Sequence, residues 1–217
     1  MTRREFIAGT SSLAIVAALM NAVDFGLARS ALAQAAPDVA ELMQPGPLGE
    51  QALGKADAPV TIIEYASMTC SHCAAFHNTT YPELKKRYID TGKVRFIMRE
   101  FPLDPLAAGA FMLARCAGDG KYFPLIETLF NQQGQWVTQR PIEPLFAIAR
   151  QAGFTRQTFD ACLKDSKMLE GIEAVRNRAT EKFGVQSTPT FFINGQVHRG
   201  ALTIEDLEKV IDPLIKS

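Results

Sequence analysis

Cys70 and Cys73 constrain this chain more than any other residues in it. They stand two residues apart in E-Y-A-S-M-T-C-S-H-C-A-A-F-H, Glu64 to His77, after a largely β-branched run, Val60 to Ile63, and before a helix-compatible segment. A strand that turns into a helix at a Cys-x-x-Cys pair is the pattern of a redox-active dithiol. The first amides of a helix have no partner within it, and the macrodipole favours negative charge there. A sulfur at that point is stabilised as thiolate, the nucleophilic form. The spacing brings the second sulfur into the first helical turn, within reach of the first. Cys70 is expected to be the exposed attacking thiol and Cys73 the buried resolving one.

Other uses of such a pair fit less well. Haem attachment needs His directly after the second Cys, and Ala74 is there. A structural zinc site needs four ligands, normally from two such pairs, and Cys116 and Cys162 stand alone in the sequence. His77 joins Cys70 and Cys73 as a third donor in the alternative reading, a non-catalytic protein that holds copper or zinc. The primary reading assigns no metal and no bound cofactor.

The 217 residues carry 23 basic and 23 acidic side chains, so charge makes no case for nucleic acid. The first 33 residues read as a cleaved export signal. Arg3-Arg4 precede an Ala-rich apolar stretch from Phe6 to Val23, and Ala31-Leu32-Ala33 is a small-x-small cut site. T-R-R-E-F-I-A resembles a twin-arginine signal, with a Sec signal as the alternative route. Cleavage would start the mature chain at Gln34 and place it in a periplasmic or other extracytoplasmic space, where disulfides persist. There, an even cysteine count pairs Cys116 with Cys162.

Residues 34–54 read as a lead-in with one short helix, too short for a separate dimerisation domain, and the expected state is a monomer. Strand follows at Val60–Tyr65, then helix from Cys70 to about Tyr88 with a kink at Tyr81-Pro82, then strand at Val94–Arg99. From about Asp104 to Phe183 the apolar spacing is helical. Strands return at Thr190–Asn194 and Gln196–Arg199 around Asn194-Gly195, a hairpin signal. Thr203 is placed to cap a last helix, with Asp206 three residues on. Trp136 and the Phe residues of the helical stretch read as core. This order predicts an α/β protein, a thioredoxin fold with an inserted helical domain. Residues 55–103 and 184–217 form the thioredoxin part, and 104–183 the insertion.

The segments D-A-P-V-T-I-I-E-Y, C-S-H-C, R-E-F-P-L and G-V-Q-S-T-P-T-F-F-I-N-G resemble those of DsbA-like thiol:disulfide oxidoreductases, in the branch called thioredoxin-4 domains. The resemblance runs from about residue 57 to the end. It implies a cis bond before Pro189, with the Thr188 backbone offering hydrogen bonds to a bound peptide. Ser71, between the cysteines, joins Thr188 and Pro189 as a candidate substrate contact. His72 matches the C-x-H-C of the family's oxidising members, where positive charge beside the nucleophile favours thiolate. Thr188 departs from the Val of some strong oxidases, which leaves isomerase or reductase activity open. Glu64 matches an acidic residue that relays a proton beneath the resolving cysteine. The resemblance further implies reduced proteins or peptides as substrates and reoxidation by a quinone-linked membrane partner of DsbB type.

Overall fold

The computed structural model describes residues 38–118 and 120–216. The expected export signal, with Arg3-Arg4 and the cut after Ala33, lies outside the described residues. Five strands form one sheet, in the order β1-β3-β2-β4-β5. The two central strands, β2 (Val60–Ala66) and β3 (Val94–Glu100), are parallel, Val60 opposite Val94 and Ala66 opposite Glu100. β4 (Thr190–Ile193) runs antiparallel to β2, and β5 (Gln196–Arg199) antiparallel to β4. The hairpin between them turns through Asn194 (φ 44°) and Gly195 (φ 86°), both in the left-handed region that a two-residue turn requires. Asn194 suits the position twice over, since its Oδ1 accepts from the Thr61 amide at 2.8 Å.

Side chains alternate across a strand, so each central strand feeds two cores. Val60, Ile62 and Ala66 of β2 join Phe96 and Met98 of β3 and Phe191 of β4 on one face. Ile63, Tyr65, Ile97 and Phe192 occupy the other. The first face is covered by α2 (Ser71–Thr79), α3 (Tyr81–Leu84) and α10 (Ile204–Ile215). Thr203 caps α10 in a reciprocal capping box with Asp206.

Between β3 and β4 the chain is helical: α4 (Pro105–Cys116), α5 (Tyr122–Asn131), α6 (Gln133–Trp136), α7 (Ile142–Gln151), α8 (Arg156–Leu163) and α9 (Ser166–Phe183). Trp136 is fully buried and its indole N–H donates to Leu129 O at 2.8 Å. α9 ends at Gly184 in the left-handed conformation (φ 63°), and its last turns return Val175, Ala179 and Phe183 to the second face of the sheet. Cys116, at the end of α4, is joined to Cys162 of α8, with 6.2 Å between their Cα atoms.

Two expectations need correcting. Residues 34–54 are more than a lead-in: after α1 (Val39–Leu42) they supply β1 (Gln51–Leu53), an edge strand paired with β3. Two arginines, the buried Arg99 and the partly buried Arg115, tie this segment down. Arg99 donates to Leu42 O, Gln44 O, both Glu50 oxygens and the Tyr65 hydroxyl. Arg115 donates to both oxygens of buried Glu100 and to Leu48 O. A three-residue strand, Gln-Ala-Leu, with Ala52 and Leu53 on opposite faces, is too short to carry a period-2 signal. The helix after Cys70 breaks at the expected Tyr81-Pro82, between α2 and α3, but does not then run as regular α-helix to Tyr88: Lys85–Ile89 winds as a π-helix, with the Asp90 amide donating to Lys85 O at 2.9 Å.

A crosslink spanning 46 residues removes loop entropy from the unfolded chain, by up to about 4 kcal/mol in the chain-entropy model. Replacing Cys116 and Cys162 together by Ala is expected to lower urea-unfolding stability by about 2–4 kcal/mol. Unchanged stability would mean the pair is reduced or energetically idle in the folded protein.

Candidate active site

α2 begins immediately beyond β2, and Cys70 is its N-cap residue, with extended backbone (φ −77°, ψ 120°). N-cap side chains ordinarily accept from the amides two and three residues on, here His72 and Cys73. A neutral thiol is a poor acceptor, and in the dithiol state described Cys70 Sγ makes no such bond. It donates instead to Thr188 O at 3.3 Å. Ionisation converts the sulfur into the acceptor this position favours. The Cys70 pKa is accordingly lowered to about 5, first by the hydrogen bond from the Cys73 thiol, then by Thr188 and the amides of Cys73 and His72, against a desolvation cost. Cys70 is half-buried and Cys73 fully buried. Burial pushes the Cys73 thiol far up, and its hydrogen bond to Cys70 and the Glu64 charge push the same way. The two sulfurs thus differ in burial, Cys70 half-buried and Cys73 enclosed, and in the direction in which their pKa values move.

Glu64 follows from strand parity. It shares a face with Ile62 and Ala66, so it points beneath α2 and is wholly buried. Its Oε2 lies 2.9 Å from His77 Nε2, while Oε1 has no hydrogen-bond partner among the described residues. The His77 ring is stacked on Phe130, centroids 4.3 Å apart, and tilted against Tyr81. The Cys70, Cys73 and His77 metal set does not assemble. His77 is engaged by Glu64, and among the described residues no three His, Cys, Asp or Glu side chains are grouped to hold a metal ion.

The opposite wall is the loop before β4. The Thr188-Pro189 bond is cis. Pro189 O accepts from the Gly200 amide at 2.9 Å, and Thr190 Oγ1 donates to Ser187 O at 2.7 Å. The Thr188 hydroxyl is buried without a hydrogen-bond partner among the described residues. Ser71 and His72 are both exposed on the first turn of α2. The His72 backbone amide is among the groups that lower the Cys70 pKa.

Two supports were not read from the sequence. Gln133, at the start of α6, donates through Nε2 to Met68 O (2.9 Å) and Cys70 O (3.0 Å). Asp104, the N-cap of α4, accepts from Thr69 Oγ1 at 2.5 Å, and Ser67 Oγ accepts from the Leu103 amide at 3.2 Å. The insertion thus holds the cysteine loop from behind. The Asp104-Pro105 start of α4 was visible as a helix boundary, but no local pattern marks Gln133.

A dithiol at the start of a helix, a cis-proline loop beside it and a helical insertion between β3 and β4 define a DsbA-like thioredoxin-fold protein. The chain matches the thioredoxin-4 family, described as Thioredoxin, over residues 48–213, and it belongs to that family. It is 34% identical to Wolbachia pipientis alpha-DsbA1, with a TM-score of 0.77 over 82% of this chain and 96% of that one. A Rickettsia bellii protein with the provisional name protein-disulfide oxidoreductase is 37% identical over 169 residues, 77% of this chain and 65% of its own length. The Bacillus subtilis disulfide bond formation protein D is 27% identical over 184 residues, 80% of each chain. The match thus spans slightly under two thirds of the Rickettsia relative.

A lowered folded-state pKa links the redox state to pH. The Cys70 thiolate stabilises the folded dithiol form fully above the ordinary thiol pKa of about 8.5, and this contribution is lost as pH falls toward about 5. The stability of the reduced protein, measured by denaturant unfolding, is expected to gain on that of the oxidised protein between pH 5 and pH 8.5. A gap that does not change with pH over that window would contradict the lowered pKa.

Proposed function

We propose that the protein is an exported thiol:disulfide oxidase that donates the Cys70–Cys73 disulfide to folding proteins. The observation that carries this is the opposed pair of sulfurs, Cys70 lowered to about 5 and Cys73 pushed up by burial. Stabilising the dithiol form relative to the disulfide makes the disulfide a stronger oxidant. A substrate thiolate attacks Cys70 Sγ of the oxidised protein. The Cys70–Cys73 bond breaks, a mixed disulfide forms, and Cys73 leaves and takes up a proton. The second substrate thiolate then attacks the substrate sulfur of the mixed disulfide and releases Cys70 as thiolate. Two electrons pass from the substrate dithiol to the protein.

The Thr188 carbonyl, already an acceptor at the nucleophile, would pair with the backbone of a bound peptide beside Pro189, and exposed Ser71 would border it. Such pairing reads main chain and accepts many sequences. The exposed His72 imidazole would add positive charge near Cys70 when protonated. Reoxidation is assigned to a quinone-linked membrane partner of DsbB type, and the working form to a monomer in the periplasm or an equivalent space. The names of the relatives support this reading, protein-disulfide oxidoreductase and disulfide bond formation protein among them. Reductase or isomerase action is the second reading, left open by Thr188 at the position where some strong oxidases of the resembled family carry Val.

The oxidised protein is expected to convert a reduced two-cysteine peptide to its disulfide one for one, as followed by mass spectrometry. Cys73→Ala is expected to hold a disulfide-bonded peptide on Cys70 as a lasting mixed disulfide, because the resolving thiol is gone. His72→Ala is expected to raise the Cys70 pKa, read as thiolate absorbance near 240 nm, and Ser71→Ala to change it much less. Failure to oxidise the peptide, with efficient reduction of a protein disulfide instead, would favour the second reading.

A further inference from the structure

The Cys73 sulfur leaves as thiolate in a site that strongly favours thiol, so every turnover needs a proton delivered to the protein interior. The Cys70 side is a poor source, because Cys70 itself remains in the mixed disulfide and the bound substrate covers it. Toward the C-terminal end of α2, on the same buried face, a different arrangement exists. His77 lies one helical turn beyond Cys73 and reaches Glu64 Oε2 through Nε2, at 2.9 Å. Its Nδ1 is buried and without a partner among the described residues. The same residue lines a polar surface cavity of about 560 Å³ between α2, α3, the π-helix and α5. Lys85, Lys86, Asp90 and Glu127 are the charged groups of that cavity, and Tyr81 borders both it and the imidazole. Buried polar nitrogens are nearly always satisfied, and a cavity of this size and character admits water to do so.

We propose that His77 is a proton-relay residue, acting through Glu64, which connects the Cys73 sulfur to this cavity by a route separate from the substrate face. The proposal rests on the thiol:disulfide exchange reading above and adds the path of its proton. When Cys73 leaves, the Glu64–His77 pair gives up one proton through the carboxyl group to Cys73 Sγ. The pair regains one at His77 Nδ1 from water in the cavity. Reoxidation runs the same path outward, the Cys73 proton passing to the pair and then to the cavity. Protons balance at each stage, and no electron leaves the sulfurs. His77 touches no reacting atom, so its effect is on the rate of proton movement at Cys73 and not on Cys70.

Two substitutions separate relay from packing. His77→Gln keeps an amide that can donate to Glu64 Oε2 but cannot exchange a proton through the ring. His77→Phe keeps the stacking on Phe130 and removes the hydrogen bond. The measurement is single-turnover reduction of the full oxidised protein by dithiothreitol, in stopped flow from pH 5 to pH 9, in water and in deuterium oxide. Both variants are expected to react about a hundredfold more slowly at neutral pH, the low end of general acid–base contributions. The pH profile should flatten, while the Cys70 titration near 240 nm is unchanged. His77→Gln reducing at the wild-type rate, with the wild-type pH profile and isotope effect, would overturn the relay. Equal loss in both variants with a shifted Cys70 titration would overturn it too, since that is the signature of a disturbed α2. A wild-type protein that fails to oxidise a dithiol peptide would instead remove the oxidase reading and leave the relay measurement intact.

Discussion

Everything at this site depends on an unsatisfied helix terminus. The first amides of α2 need an acceptor, and the residue at the cap carries a sulfur that serves only when ionised. The reduced protein therefore gains a stabilisation that the disulfide form lacks. Much of the surrounding structure keeps that terminus in place. β2 delivers the chain to it, Gln133 holds the Met68 and Cys70 carbonyls, and Asp104 with Ser67 ties the preceding loop to the insertion. The Thr188-Pro189 loop closes the remaining side and offers its carbonyl to the Cys70 thiol.

Asymmetry between the two sulfurs follows from the same geometry. One helical turn takes the chain from the half-buried cap to the floor of the core, where Cys73 meets Phe76, Ile62 and the other apolar side chains of the first face. Placing Glu64 on that face puts an acid beneath the resolving thiol, and placing His77 on the buried side of α2 gives the acid a partner. Strand parity and helical period, 2 and 3.6, bring these groups together without any contact between them in sequence.

The same two periods explain how far the sequence could be read. Cys70, Cys73, Thr188 and Pro189 are carried by local motifs at the ends of clear elements. The thioredoxin-like order of strands and helices, and the Thr203 cap of α10, rest on equally local signals. Glu64 was legible through the resemblance, as the counterpart of an acid beneath the resolving cysteine, and not from the strand pattern alone. Its hydrogen bond to His77 was not, since His77 entered only as a third donor in the alternative metal reading and nothing local orients its ring. β1 escaped because a three-residue edge strand is held by Arg99 and Arg115 from distant elements, and not by its own pattern. Gln133 supports Cys70 across 63 residues of chain, a relation that exists only after α6 has packed.

The most direct measurement is the reduction potential of the Cys70–Cys73 couple, from equilibration of the protein against glutathione at pH 7. For this two-electron couple a tenfold change in equilibrium constant is about 30 mV. Stabilisation of the Cys70 thiolate at the α2 terminus predicts a value less negative than about −180 mV, toward the roughly −120 mV of DsbA. A value near the roughly −270 mV of thioredoxin would contradict it, because the dithiol form would then hold no such advantage over the disulfide.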